Sequence, residues 1–234
     1  DIWFRPVQFA NGPDGALYIA DMYREVIEHP KSLPPIIKKH LDLTSGRKQG
    51  RIYRIAPSDF RQPAPIRLGD YSGEKLVSTL EHPNGWHRDT AARLIYERQD
   101  KSLAPALRRL AADSSDPIAR VRAMHALDGL DSLTAETVLP RLDDKSPRVR
   151  EHAIRLAEPL AADSPQIRNR LYALADDEDL RVRYQLAFSL GEVRGPGRVA
   201  ALVRILRQNL ADRWISLAVQ SSLAEGAGAA FDLL

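Results

Sequence analysis

The pattern D-x-x-x-R-V-R occurs three times along this chain, as DPIARVR (116–122), DKSPRVR (144–150) and DEDLRVR (177–183), with separations of 28 and 33 residues. Each copy leads into an Ala- or Leu-rich helical face: AMHALDGL, EHAIRLAEPL and YQLAFSLGEV. Each also follows another amphipathic segment, such as SLAPALRRLAA (102–112) or PQIRNRLYALAD (165–176). Recurrence at such a period marks a stack of like units, each burying its apolar face against the next. The units here are helical hairpins. Weaker copies flank them: HPNGWHRDTAARLIYER (82–98) keeps Arg88, and in LADRWISLAVQSSLAEG (210–226) Ile215 stands where the second arginine would be. The count is about five hairpins.

The spacing has a mechanism. An Asp at the start of the second helix can accept hydrogen bonds from free amides. An Arg six residues later points about 240° round that helix, away from its own Asp. It is free to reach the Asp of the next hairpin. Asp116, Asp144 and Asp177 with Arg122, Arg150 and Arg183 are therefore expected to form a structural ladder along the stack, with Val121, Val149 and Val182 facing the core beside it. A ligand role for the same groups is the minor reading.

Residues 1–57 show strand chemistry instead. VQFA (7–10) and ALYIAD (16–21) flank NGPDG (11–15), a strong turn signal, and make a hairpin. YREVIEHP (23–30) leaves the strand end as a loop or helical turn, PPIIKKHLDL (34–43) reads as a short amphipathic helix, TSGRKQG (44–50) as a loop and RIYRI (51–55) as a third strand. Three strands leave open edges that other structure must cover. SDFRQPAPIRLGDYSG (58–73) is rich in Pro and Gly. The expected division is a β segment at 1–57, a linker at 58–71 and helical repeats at 72–234. The fold class is mainly α, an α-solenoid preceded by a small antiparallel β unit.

Composition sets limits. No apolar run approaches the 18 or so residues of a membrane span. There is no cysteine, which removes disulfides, thiolate metal sites and C-x-x-C-H haem attachment from this segment. Arg outnumbers Lys by 27 to 7, yet the net charge is only +3. Ion pairing within and between repeats accounts for that balance better than a phosphate-binding face does. The chain starts at Asp1 and stops inside an apolar helical pattern, AAFDLL, so both ends read as excision points.

The candidate pocket residues are Arg5, Asp21, Tyr23, Arg24 and His29, grouped around the end of the second strand with Glu28. Arginines there could hold a carboxylate or quinone oxygen through paired donors, and His29 could serve as a base or metal ligand. The same residues also suit structural work: Asp21 capping a loop, Arg24 pairing with Glu28, His29 in a turn. Asp14 in GPDG belongs to its turn more readily than to a cation site. His82 and His87 are five apart, not the i, i+4 of a helical zinc pair. No metal site and no catalytic set stand out. Trp86 and Trp214, at helix starts, read as packing anchors.

D-x-x-x-R-V-R in paired helices resembles HEAT repeats over about residues 72–226. WFRPV, GPDGALYIADMYREVIEHP and GRIYRI resemble the last propeller segment of the membrane-bound dehydrogenase-like proteins of planctomycetes and verrucomicrobia, and HPNGWHRDTAARLIYER looks like the first helical repeat after it. The resemblance implies a propeller similar to quinone-dependent (PQQ) sugar dehydrogenases, HEAT repeats after it, often a c-type cytochrome domain with haem c, and export to the periplasm. This sequence lacks most of a propeller and any haem motif.

The expectation is a segment of an exported sugar or alcohol dehydrogenase-like protein. The repeats hold the oxidising domain near a partner, such as a cytochrome, and are not catalytic by themselves. Two alternatives stand beside it: a protein-binding solenoid whose strands cap the stack, and nucleic-acid binding by a basic HEAT face.

Overall fold

A computed structural model describes residues 3–234. The chain divides into two compact units: residues up to Leu68 together with His82–Thr90, and Gly69–Glu81 together with Ala91–Leu234.

The first unit holds β1 (Pro6–Asn11), β2 (Leu17–Asp21) and β3 (Arg51–Ile55), an antiparallel sheet in the order β1-β2-β3. The NGPDG turn closes as its residues dictate. The Asp14 carboxylate accepts the Ala16 amide at 3.1 Å and the Tyr18 hydroxyl at 2.8 Å, and Gly15 takes φ +85°. β2 is the half-buried middle strand, while β1 and β3 are exposed along their whole length. Phe9, Ile19 and Tyr53 lie opposite one another on one face, next to Leu17 and Ile55. Phe9 and Ile55 remain more than half exposed.

The helix expected over 34–43 is only α1 (Pro35–Lys38), with no buried residue. A short helix without packing is marginal in water, so the pattern does not propagate. The first unit also takes in the start of α3 (Gly85–Arg98). Asn84 Nδ2 donates to the Gly12 carbonyl at 2.8 Å, and His87 Nε2 lies 2.9 Å from the Pro13 carbonyl, so this helix start grips the β1–β2 turn.

The second unit comprises α2 (Gly73–Thr79) and the end of α3, then α4 (Ala104–Asp113), α5 (Pro117–Gly129), α6 (Ala135–Val138), α7 (Pro147–Ala157), α8 (Pro165–Ala173), α9 (Leu180–Glu192), α10 (Arg198–Gln208), α11 (Arg213–Ser222) and α12 (Ala227–Leu233). α6 and α8 each run on into a 3-10 turn, Leu139–Asp143 and Leu174–Asp176. From α4 to α11 the helices pair as successive hairpins. α5, α7, α9 and α11 pack in sequence as one layer, and α4, α6, α8 and α10 with their turns form the other. Leu107, Met124, Leu142, Ile154, Leu171 and Leu186 are fully buried between the layers. Proline begins α5, α7 and α8, where its missing N–H costs nothing.

Candidate interaction surface

Of Arg5, Asp21, Tyr23, Arg24 and His29, the first four are engaged mainly with neighbouring backbone and rings. Asp21 is 3% exposed, and its Oδ1 accepts the amides of Arg5 at 2.7 Å and Tyr23 at 2.9 Å. Arg5 donates from Nε to the Arg24 carbonyl at 3.2 Å and from Nη2 to the Glu25 carbonyl at 2.8 Å. Arg24 Nη2 donates to the Leu43 carbonyl at 2.9 Å. Tyr23 takes φ +48°, its ring stacked on Trp3 with Arg51 3.8 Å over its centroid. These groups fasten the loop that leaves β2. His29 is exposed, and its Nδ1 accepts the Lys31 amide at a helical turn. Arg24 and His29 share a shallow hollow of about 360 Å³ with Glu28 and the apolar Met22, Val26 and Leu43. A quinone carrying carboxylates asks for arginine donors turned to the ligand. Here Arg5 spends Nε and Nη2, and Arg24 its Nη2, on backbone carbonyls, and Arg24 Nε is buried without a partner among the described residues. With no cysteine, they cannot attach haem c.

The ladder is present in the second unit; the Arg150–Asp177 rung has the register of D-x-x-x-R-V-R, while the first rung starts two residues earlier, at Arg120. Arg120 Nε and Nη2 reach both oxygens of Asp144 on the next hairpin, at 2.9 and 2.7 Å. Arg150 does the same to Asp177, at 2.8 Å each. Arg183 Nη2 donates to Asn209 Oδ1 at 2.9 Å, so the last rung has an amide in place of a carboxylate. Each arginine also clasps its own hairpin: Nη1 donates to the carbonyl six residues back, Ser114, Asp144 or Asp177. Arg88 makes the same local bond to His82 at 2.6 Å.

Two expectations are corrected here. Asp144 receives Arg120, two residues before the expected Arg122. Asp116 does not receive an arginine; it is the N-cap of α5, accepting the Ile118 amide at 2.9 Å. The physical reason lies in the caps. The rung arginine stands four residues after the N-cap, at 116+4, 146+4 and 179+4, while Asp144 and Asp177 sit two residues before theirs, in turns that accept the amides of Ser146 and Asp179. Ser114 holds that place in the first copy. The residue beside each rung is then Ala119, Val149 or Val182, all fully buried, whereas Val121 is only half-buried. Ser114 is thus the counterpart of Asp144 and Asp177, an alignment that the cap positions of the folded helices disclose.

Burial works to raise the Asp144 pKa, but the Arg120 hydrogen bonds and the Ser146 amide outweigh it and hold the carboxyl below its ordinary value. Arg120 and Asp144 side chains are 4% and 5% exposed, so the rung belongs to the interior.

The outward face of the α5–α7–α9–α11 layer carries features not anticipated. His125 Nε2 and His152 Nδ1 lie 2.9 Å apart across two hairpins, their rings edge to face. Burial, and then the neighbouring His152, hold His125 below the usual 6.5. Burial is also the leading cause of the lowered value at His152, with Arg155 and Arg148 adding to it against Glu151. A hollow of about 390 Å³ opens between α5 and α7, lined by Ile118, Val121, Arg122, Arg148 and His152 with Pro117. Trp214, expected as a packing anchor, is 65% exposed on this layer; Ile215 beside it is the buried residue. Trp86 is half-buried, edge-on to His87.

A larger hollow, about 800 Å³, lies between the end of α9, the start of α10 and the end of α11. Its Arg198 is tied to the Ser222 carbonyl, and its charge is mixed, with Glu158, Glu192 and Glu225 facing Arg194.

Residues 135–224 match the family described as HEAT repeats. The helical hairpins are HEAT-like repeats. The match takes in α6 to α11, and the Arg120–Asp144 rung carries the same joint one hairpin further, into α5. Residues 1–59 match a family described as Domain of unknown function (DUF7133). No curated protein matches the chain. HEAT-like repeats point to a scaffold or protein-interaction role, since stacked hairpins display broad, regular surfaces. No helix among the described residues is long and apolar enough to cross a membrane.

Proposed function

We propose that this chain is the non-catalytic scaffold of an exported sugar or alcohol dehydrogenase-like protein. The HEAT-like repeats hold an oxidising domain beside a protein partner, such as an electron-accepting cytochrome. The observation that carries the scaffold part is the pair of rungs Arg120–Asp144 and Arg150–Asp177, which fix successive hairpins rigidly while leaving the outer face of the layer for contact. The sheet supports the larger reading. β1 and β3 are exposed throughout, and an apolar face with Phe9 and Ile55 uncovered suits packing against further strands of a propeller. Any PQQ or haem c would belong to other parts of the parent protein, in the periplasm.

The test is an assay of quinone-dependent sugar and alcohol oxidation with this chain and added PQQ. No turnover is expected; turnover would overturn the scaffold reading. The flanking coding sequence tests the parent separately. Further blade-like strands upstream, an export signal and a C-x-x-C-H motif are expected, and the absence of further strands would overturn the dehydrogenase part.

A second reading is a self-sufficient protein-binding solenoid capped by its own strands. It requires that removing residues 1–57 lower the melting temperature of the helices sharply.

A further inference from the structure

Positions at i, i+4 and i+7 on α5, α7 and α9, with Trp214 and Ser221 on α11, form one outward stripe across the layer. They begin at Ile118, Arg148, Arg181 and Trp214. Helical spacing puts such positions on one face. The stripe contains no carboxylate. It carries Arg122, Arg148, Arg155 and Arg181, with His125 and His152 at its centre. Between the cations stand Ile118, Phe188 and Trp214, all large apolar residues left exposed.

We propose that this stripe binds an extended acidic peptide segment of a partner protein, one whose carboxylates alternate with apolar side chains. The inference rests on the scaffold reading and names its partner. Arg155 and Arg181 are exposed and make no ion pair among the described residues, so their donors face outward. Arginine receives carboxylates through two parallel hydrogen bonds. The hollow between α5 and α7, lined by Pro117, Ile118 and Val121, is an apolar pit that takes one apolar side chain of such a peptide. Neighbouring helices pack about 8–10 Å apart, so four of them span about 30 Å. An extended strand covers that in about nine or ten residues at roughly 3.3 Å each.

Nucleic acid fits less well. Its phosphates are continuous, and the stripe is bordered by Asp128, Glu151 and Glu158, which would face them. Glu151 already pairs with Arg148, and Asp179 lies 3.5 Å from the same guanidinium. A peptide can place acids only opposite the outward arginines and leave those margins to neutral groups.

The test is fluorescence anisotropy with a labelled ten-residue peptide of alternating Glu and Leu, the same peptide with Lys for Glu, and a 20-base-pair duplex DNA. Saturable binding of the acidic peptide is expected, weakened by salt. The double variant R155E/R181E should lose about tenfold or more in affinity, about 1.4 kcal/mol. R109E, on the other layer, should bind as the parent chain does. If the charge reversal unfolds the chain, R155Q/R181Q gives the same comparison, and Trp214→Ala tests the apolar contact. Absence of saturable binding, equal binding by the double variants, or preference for the Lys peptide or the duplex would overturn the inference. The scaffold reading is judged by turnover alone, so the two can fail separately.

Discussion

Arg150 joins three pieces of chain through one guanidinium. Its Nε and Nη2 hold both carboxylate oxygens of Asp177 at 2.8 Å, and its Nη1 donates to the carbonyl of Asp144. The bidentate pair locks one hairpin to the next, and the carbonyl bond locks the arginine to its own. A lysine has no planar fork and cannot make both contacts.

Arg150→Ala should therefore destabilise the chain by about 3 kcal/mol or more, because Asp177 is left with a buried, uncompensated charge. Arg150→Lys should recover only part of that loss. Guanidinium unfolding of both variants, with Asp177→Ala to close a double-mutant cycle, measures the coupling. Additive effects of the two alanine variants would count against the rung.

The register of the ladder gives a sharper comparison. Arg120 is 3% exposed and bonded to Asp144, whereas Arg122 stands half-buried at the rim of the surface hollow. Arg120→Ala should cost about 3–5 kcal/mol, more than Arg122→Ala, which leaves the rung to Asp144 intact. Thermal melts of the two variants settle the order; a larger loss at Arg122 would restore the register of the sequence motif.

The rungs and the histidine pair predict two steps in stability against pH. His125 and His152 titrate below 6.5 in the folded chain, so the unfolded chain binds protons first as pH falls. Their contribution is complete above pH 6.5 and is lost as pH drops through the lowered folded values. Asp144, also lowered, contributes above its unfolded value of 3.8 and loses that contribution as pH falls further, through its folded value. Urea midpoints measured from pH 8 to pH 3 should decline in both windows. His125→Gln with His152→Gln should flatten the upper one, and Asp144→Asn the lower.

At α11, adjacent residues should behave oppositely. Ile215 is 1% exposed, and Ile215→Ala should cost about 2–5 kcal/mol through the cavity it leaves. Trp214→Ala should change stability by about 0.5 kcal/mol or less, because the indole lies in solvent. A large loss at Trp214 in a melt would show that the ring packs after all.

Much of the architecture could be read from residue order. The NGPDG turn, the two strands beside it, RIYRI and the repeating hairpins follow from turn chemistry and periodicity, which act over a few residues. The helix over 34–43 did not extend because nothing packs on it, and amphipathic spacing says nothing about whether a partner is present. The pocket assigned to Arg5, Asp21 and Arg24 followed the same limit. Residue types announced donors, while the fold directed those donors to backbone carbonyls.

What the sequence determined was that arginines would recur near the second-helix start of three successive hairpins, because helix starts and a repeating unit call for the same residue types. Which arginine of DPIARVR meets Asp144 was decided only by the tertiary structure. The N-cap at Asp116 sets the rotation of α5, and that rotation turns Arg120 toward Asp144 of the next hairpin. The pairing of His125 with His152 arose the same way: two residues 27 apart meet because stacked helices align their faces, a contact that no local pattern encodes.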